Sequence, residues 1–300
     1  MLPVLAMERA MAIQGRTITP TDIQLIKQLL TEQPSWNRTR LSRELCKKWQ
    51  WLRADGQHLK DMACRSLLLK LERAGYIELP PRQGPSVNGF RKSSSIEPPH
   101  STEQLCGPLR TLVPLKITRV DPTSDDHPLF NYLLSHYHYL GHRTTVGENM
   151  GYLVRDHNNR PLACLLFGSA AWKTAPRDRF IGWDQKRREA NLCSVTNNTR
   201  FLILPWVKVS HLASHILSQI SRRIYDDWIK KYSHPVYLLE TFVDRDRFRG
   251  TCYKAANWIL TGQTKGRTRN DQDHAIQVPH KDIYVYPLIK DFRERLCYDA

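Results

Sequence analysis

The sequence predicts an α+β protein with a small helical domain over residues 1–80, a linker over 81–107 and a basic mixed α/β domain over 108–300. Three observations predict it. Apolar residues recur at three-to-four-residue spacing up to Gly75, Pro, Gly and Ser dominate 81–107, and from Leu109 strand-length apolar runs alternate with helical patterns. A chain of 300 residues suits a small plus a medium domain, and a hydrophobic fraction of 41% is enough for a core in each.

In the first domain, Thr21 is the expected N-cap of a helix carrying Ile23, Leu25, Ile26, Leu29 and Leu30, and Pro34 stops it. A second helix is expected over 38–51, with Leu41, Leu45 and Trp49 on one face. A third, over 59–74, turns Met62, Leu67, Leu68 and Leu71 inward and leaves Arg65, Lys70 and Arg73 for solvent or phosphate. Gly75 ends it, and residues 76–79 read as a short strand. Three helices followed by a strand is the winged-helix order, with the third helix as the recognition element and Arg65, Lys70 and Arg73 as groove or phosphate contacts. The plainer alternative is a helical protein-interaction module with an ordinary charged face.

In the second domain, a strand is expected over 112–120 and an aromatic helix over 128–140. Strands over 150–156 and 162–169 flank the turn-forming run 157–161 and predict a hairpin. A buried strand over 200–206 precedes a long amphipathic helix over 211–231, with Leu212, Ile216, Ile220, Ile224 and Trp228 on one face. A strand over 236–243, a short helix over 252–256, strands over 258–260 and 284–288 and a basic helix complete the order.

The formal net charge is +16 and the isoelectric point about 9.7, a surplus that suits a polyanionic partner. Nucleic acid, DNA first, is the expected one. No apolar run approaches 18 residues and no long basic amphipathic helix is present, so a membrane is not an expected partner. The seven cysteines, Cys46, Cys64, Cys106, Cys164, Cys193, Cys252 and Cys297, are odd in number, widely spaced and without a CxxC pair. They fit reduced cytoplasmic thiols rather than a zinc ribbon. The N-terminal apolar run lacks a preceding basic region, so a secretory signal is not expected.

Several groups could carry chemistry. Glu240 and Asp244 stand four apart at the end of an apolar strand, on one face by alternation; with Asp271 and Asp273 they could hold Mg²⁺ for phosphoryl chemistry. The alternative is that they pair with the surrounding cations Arg245, Arg247, Arg249, Lys254, Lys265, Arg267 and Arg269, which are themselves expected to hold phosphates. Gly262 and Gly266 are expected to let backbone approach a phosphate chain. The run 136–142 brings His136, His138 and His142 together with Tyr137 and Tyr139, supplying a general base in His138, a nucleophile in Tyr139 or stacking surfaces, or simply a packed helix end. Arg187, Arg188, Asn191, Asn197, Asn198 and Arg200 could read base edges or form a turn. Trp172 and Trp183 read as core rather than as stacking platforms.

The stretches RREANLCSVTNNTRFLILPWVKVSHLASHIL and LETFVDRDRFRGTCYKAANWILTGQTKGR resemble the Druantia anti-phage protein family DruA, and the resemblance spans nearly the whole chain. It implies a bacterial defence component, with other proteins of the defence system as possible partners, but brings no assigned catalytic residues. Transposase-like contexts of some relatives keep strand cleavage open. A second resemblance is one of element order: hairpin, strand, long helix, strand, then a short helix bearing Tyr253 is similar to the N-acetyltransferase (GNAT) fold. The turn over 206–213 has no glycine where those enzymes cradle a pyrophosphate, so this resemblance favours the fold and opposes acetyl transfer. The expected function is therefore DNA binding in anti-phage defence, of phage, branched or single-stranded DNA. The alternatives are a transposase-like or nuclease enzyme using carboxylate-held Mg²⁺ or Tyr139 or Tyr253 as nucleophile and, less favoured, a GNAT-like acyltransferase.

Overall fold

The structure, a computed structural model, describes residues 11–13, 16–52, 56, 59–81, 97–142, 145, 147–265 and 279–298. The chain divides into two compact units, Met1–Phe90 and Arg91–Ala300.

The first unit opens on two antiparallel strands, β1 (Met11–Ile13) and β2 (Arg16–Ile18), followed by helices α1 (Pro20–Glu32), α2 (Arg38–Lys48) and α3 (Asp61–Arg73). The cap of α1 is Thr19, not the expected Thr21. Thr19 Oγ1 accepts the Asp22 N–H at 3.2 Å, Asp22 accepts the Thr19 N–H at 2.9 Å, and Pro20 takes the first helical position, where its missing N–H costs nothing. Ile18, Ile26, Leu41, Leu45, Leu67, Leu68 and Leu71 form the core, while Met62, expected inside, is 49% exposed.

The strand expected over 76–79 does not form among the described residues, so the strand that would define a winged helix is not in place after α3. Ile77 and Leu79 are buried, but side chains satisfy this backbone instead of a neighbouring strand. The Leu79 N–H donates to Glu72 Oε1 at 3.2 Å, and Arg38 Nε donates to the Pro80 carbonyl at 2.6 Å. Among the described residues of this unit, the β1–β2 pair precedes the helices, and an isolated antiparallel bridge joins Leu52 and Leu59 between α2 and α3.

The second unit begins inside the expected linker. Strand β3 (Leu105–Gly107) buries Leu105, and the His100 ring lies 5.6 Å from Tyr132 and 5.7 Å from Trp206. Then come β4 (Lys116–Val120), α4 (His127–Tyr137), β5 (Met150–Arg155), β6 (Pro161–Ser169), α5 (Ala175–Ile181), α6 (Gln185–Asn191) and β7 (Val195–Ile203). They are followed by β8 (Val207–Val209), α7 (Leu212–Tyr232), β9 (Leu238–Asp244), α8 (Thr251–Ala255), β10 (Ile259–Gln263), β11 (Lys281–Pro287) and α9 (Phe292–Cys297). Strands β3 and β8 pair in parallel. The main sheet runs β10-β11-β9-β7-β6-β5-β4, antiparallel throughout except at the centre, where β7 and β9 are parallel. Helix α7 buries the predicted stripe Leu212, Ile216, Ile220, Ile224 and Trp228, and Tyr152 of β5 donates to Asp227 of α7 at 2.9 Å.

The central pair positions the site. β7 and β9 pair only through Val195–Leu238, Thr196–Leu239 and Asn197–Glu240. A bulge then shifts the β6–β7 register between Leu166 and Phe167, skipping Thr199, and bulges bend a strand and increase its twist. Past the bulge the two strands go separate ways, β7 staying with β6 and β9 with β11.

A candidate nucleic-acid cleft between diverging strands

A cavity of about 780 Å³ occupies the space between the separated strands. Its walls are Leu202, Ile203, Phe242 and Val243 from β7 and β9, Tyr137–Leu140 from the end of α4, and Arg249–Tyr253 at the start of α8. Gly250 caps α8 with φ +66°, and a Cβ there would sit 2.6 Å from the Tyr284 hydroxyl, so the entry to this helix requires glycine. Asn198 is the fixed point of the floor. It is buried, its Nδ2 donates to the Arg200 and Leu166 carbonyls, and its Oδ1 accepts the Tyr253 hydroxyl at 2.7 Å. A contact to base edges, the role expected of Asn198, is thus replaced by a structural one: its amide oxygen holds Tyr253 and its amide nitrogen holds the backbone of β6 and β7.

Glu240 is also corrected. It is fully buried, Oε2 accepts from Arg177 Nη1 at 2.9 Å and Oε1 accepts from the Ala171 N–H at 2.7 Å. Arg177, itself fully buried, reaches Asp178 at 2.7 Å, and Asp178 faces Arg188 at 3.6 Å. Both carboxylate oxygens are engaged inside the core with Arg177 as counter-ion, a surrounding that does not suit a Mg²⁺ ligand, and Arg188, expected to bind nucleic acid, is a buried ion-pair partner. Burial pushes the Glu240 carboxyl up while Arg177 holds it down. Asp244, by contrast, lines the cavity, with Oδ1 accepting the Asp246 N–H at 3.1 Å. Asp271 and Asp273 lie outside the described residues. Among the described residues, no three His, Cys, Asp or Glu converge as metal ligands.

The aromatic run at the end of α4 divides by exposure. The helix ends at Tyr137, so His138 and His142 do not face each other along it; Gly141, at φ +61°, carries the turn beyond. His138 is buried and its Nδ1 accepts the Leu140 N–H at 3.2 Å; burial and the nearby Arg200 pull its pKa down to about 4, leaving a neutral ring. His136 stacks on Tyr132 at 4.1 Å. Tyr139 stands 38% exposed, 5.5 Å from Phe248, which is 50% exposed, and the Arg247 guanidinium lies 5.0 Å over its ring. Burial and the Asp244 charge push the Tyr139 phenol up, and burial does the same to Tyr253. Of the two expected nucleophiles, Tyr253 is buried with its hydroxyl engaged, and Tyr139 alone is presented to solvent.

The remaining cations sort similarly. Arg245, Arg247, Arg249, Lys254 and Lys265 are exposed, with Arg245 3.6 Å from Asp282. Arg187 is half-buried; Arg200 lines the cavity while donating to the Gly141 and Thr199 carbonyls. Arg267, Arg269 and Gly266 lie outside the described residues. Gly262 makes room for a helix, not a phosphate: a Cβ there would sit 2.9 Å from Pro176 of α5. In the first unit Lys70 and Arg73 are exposed and Arg65 bonds Asp61 at 2.6 Å. The sequence reading missed Phe248, Arg177 and Lys281. Phe248 carried a signal, an aromatic inside the cationic run Arg245–Arg249.

The family model described as Druantia protein DruA matches residues 70–273. The chain belongs to the DruA family. Membership implies a role in Druantia anti-phage defence. No curated protein matches this DruA-family chain. Among solved structures it is similar to the spermidine N-acetyltransferase of Vibrio cholerae, determined with CoA and spermine, at 8% identity over 57% of this chain and 92% of that one with a TM-score of 0.37. It is also similar to a Klebsiella pneumoniae protein assigned as an acyl-CoA N-acyltransferase, at 10% identity over 58% and 98% of the two chains with a TM-score of 0.37. No helix among the described residues is long and apolar enough to cross a membrane.

Proposed function

We propose that this DruA-family protein serves anti-phage defence by binding DNA, and that its second unit holds an unpaired strand or branch at the mouth of the cleft. The observation that carries this reading is the exposed pair Tyr139 and Phe248 beneath Arg247, flanked by Arg245 and Arg249. Large exposed aromatics on a soluble surface need a reason, and aromatic faces interleaved with cations are how sequence-tolerant single-strand binders stack bases while tracking phosphates. The formal charge of +16 supports the same class of partner. Lys70 and Arg73 of α3 supply a second basic surface on the first unit, suited to duplex phosphates.

The test is a gel-shift comparison of single-stranded, duplex and branched oligonucleotides, with Mg²⁺ or EDTA. Single-stranded and branched DNA should bind more tightly than duplex, and Phe248→Ala should weaken them about 5- to 150-fold, the value of one lost base stack of about 1–3 kcal/mol. Equal binding of all three forms, unchanged in Phe248→Ala, would remove the platform from the reading. A strand-cleavage reading rests on Tyr139, the exposed one of the two expected tyrosine nucleophiles, and a covalent phosphotyrosyl adduct absent from Tyr139→Phe is the result that would establish it.

A further inference from the structure

We propose that the cleft between β7 and β9 is a nucleotide pocket, which receives one nucleotide of the bound strand with its base inward and its phosphate at the mouth. The inference builds on the DNA-binding reading and names the ligand of the same site.

The first support is polarity. Leu202, Ile203, Phe242 and Val243 make an apolar interior, whereas the rim carries Arg200, Arg249 and Lys281. A ligand that matches has an apolar body and an anionic end, which describes a nucleotide and not a free sugar or a polyamine. The second is size. About 780 Å³ lies within the range of roughly 300–1,000 Å³ of pockets that enclose small organic ligands. The third is hydrogen bonding. The ladder between β7 and β9 stops at Asn197 and Glu240, so two strand edges face the cavity without pairing each other. His138, neutral and accepting at Nδ1, carries its proton on Nε2, and both His138 and Asp244, an acceptor, line the cavity. Donors and acceptors around an apolar slot are what the edge of a nucleobase needs. The fourth is continuity: Tyr139 and Phe248 line this cavity and also form the exposed platform, so a strand lying on the platform passes its opening. Taking a base out of a stack is least costly where the strand is already unpaired, the form of DNA the platform suits.

Two measurements on the full chain test this. In the first, dAMP is titrated against the protein; saturable binding is expected, at least about tenfold tighter than adenosine or inorganic phosphate alone, since each lacks one half of the match. In the second, a thymidine oligonucleotide with one central 2-aminopurine is bound, and the fluorescence of that base should rise as it leaves the stack. Ala213→Phe, at a half-exposed position of α7 lining the cavity, should abolish both signals and lower oligonucleotide affinity, leaving the residual binding that the Tyr139–Phe248 platform supplies. Oligonucleotide binding without dAMP saturation or a 2-aminopurine response would overturn the pocket and leave strand binding standing. Saturable dAMP binding without oligonucleotide binding would keep the pocket and overturn the strand reading. Failure of both would overturn both.

Discussion

At the scale of single residues, the centre of the second unit depends on one buried ion pair. Glu240 and Arg177 are both fully buried, 2.9 Å apart, and Glu240 has Arg177 as its ion-pair partner while Arg177 is shared with Asp178 at 2.7 Å. Removing one partner in Arg177→Met should cost about 3–5 kcal/mol in urea unfolding, whereas the double variant with Glu240→Leu should recover part of the loss, because it removes the Glu240 charge while Asp178 is left with Arg188, at 3.6 Å. A loss in the double variant equal to the sum of the singles would mean that the two residues do not act as a pair. His138 gives a pH dependence of the same sign as that of a paired carboxylate, placed in a higher pH window. Its folded-state pKa of about 4 lies below the ordinary 6.5, owing first to burial and then to the Arg200 charge. Between those values the unfolded chain binds a proton that the folded chain refuses, so stability falls as pH drops from 6.5 towards 4 and the loss is complete below that. The His138→Gln variant should show a smaller drop in urea midpoint between pH 7 and pH 5 than the native sequence; equal drops would show that His138 does not titrate as its surroundings imply.

At the scale of elements, the sequence was most informative where periodicity was strong and least informative where tertiary contacts decided the outcome. The stripe of α7 and the hairpin of β5 and β6 could be read directly from spacing and turn residues. Helices α5 and α6 were missed because each has only seven residues and carries an arginine on its buried side, Arg177 in α5 and Arg188 in α6, which no apolar pattern reveals. β3 was hidden in a Pro- and Ser-rich segment because its partner β8 lies about a hundred residues onward. The cleft escaped for a related reason. Glu240 and Asp244 do alternate on one strand, but the parting of β7 from β9 leaves Glu240 under Arg177 and Asp244 in the cavity, an outcome set by a bulge in a different pairing. Gly250 is where an element's conformation and the cleft meet. A side chain there must adopt φ +66° and displace the Tyr284 ring, with contacts of 2.6–2.8 Å to the ideal Cβ. Gly250→Ala should destabilise the protein by roughly 1–3 kcal/mol and weaken single-strand binding by moving Arg249 and Tyr253. Unchanged stability together with unchanged binding would show that α8 tolerates a shifted start.

At the scale of the whole molecule, the proposed DNA binding rests on charge and surface chemistry more than on any single reactive group. A formal charge of +16 is a property of the sequence, but its distribution is not: Arg177 and Arg188 pair with buried carboxylates, while Arg249 and Lys281 line the cleft, Arg247 lies over Tyr139 of its wall and Arg245 stands exposed near Asp282. That division sets the salt dependence of binding. If these four cations engage phosphates of a single strand, releasing about 0.7 counterion each, the logarithm of affinity should fall with the logarithm of salt concentration at a slope of about −3. Arg247→Ala should reduce that slope by about 0.7 and also remove the cation above Tyr139, so its loss at any one salt should exceed that of Arg249→Ala. Phe248→Ala should lower affinity with the slope unchanged, since stacking releases no counterions. Anisotropy titrations of a labelled single strand from about 50 to 200 mM salt separate these variants, because slope reports phosphate contacts and the offset between parallel lines reports stacking. Parallel lines for both arginine variants would mean that the strand is held elsewhere, and the basic surface of α3, with Lys70 and Arg73, would then be the place to repeat the series.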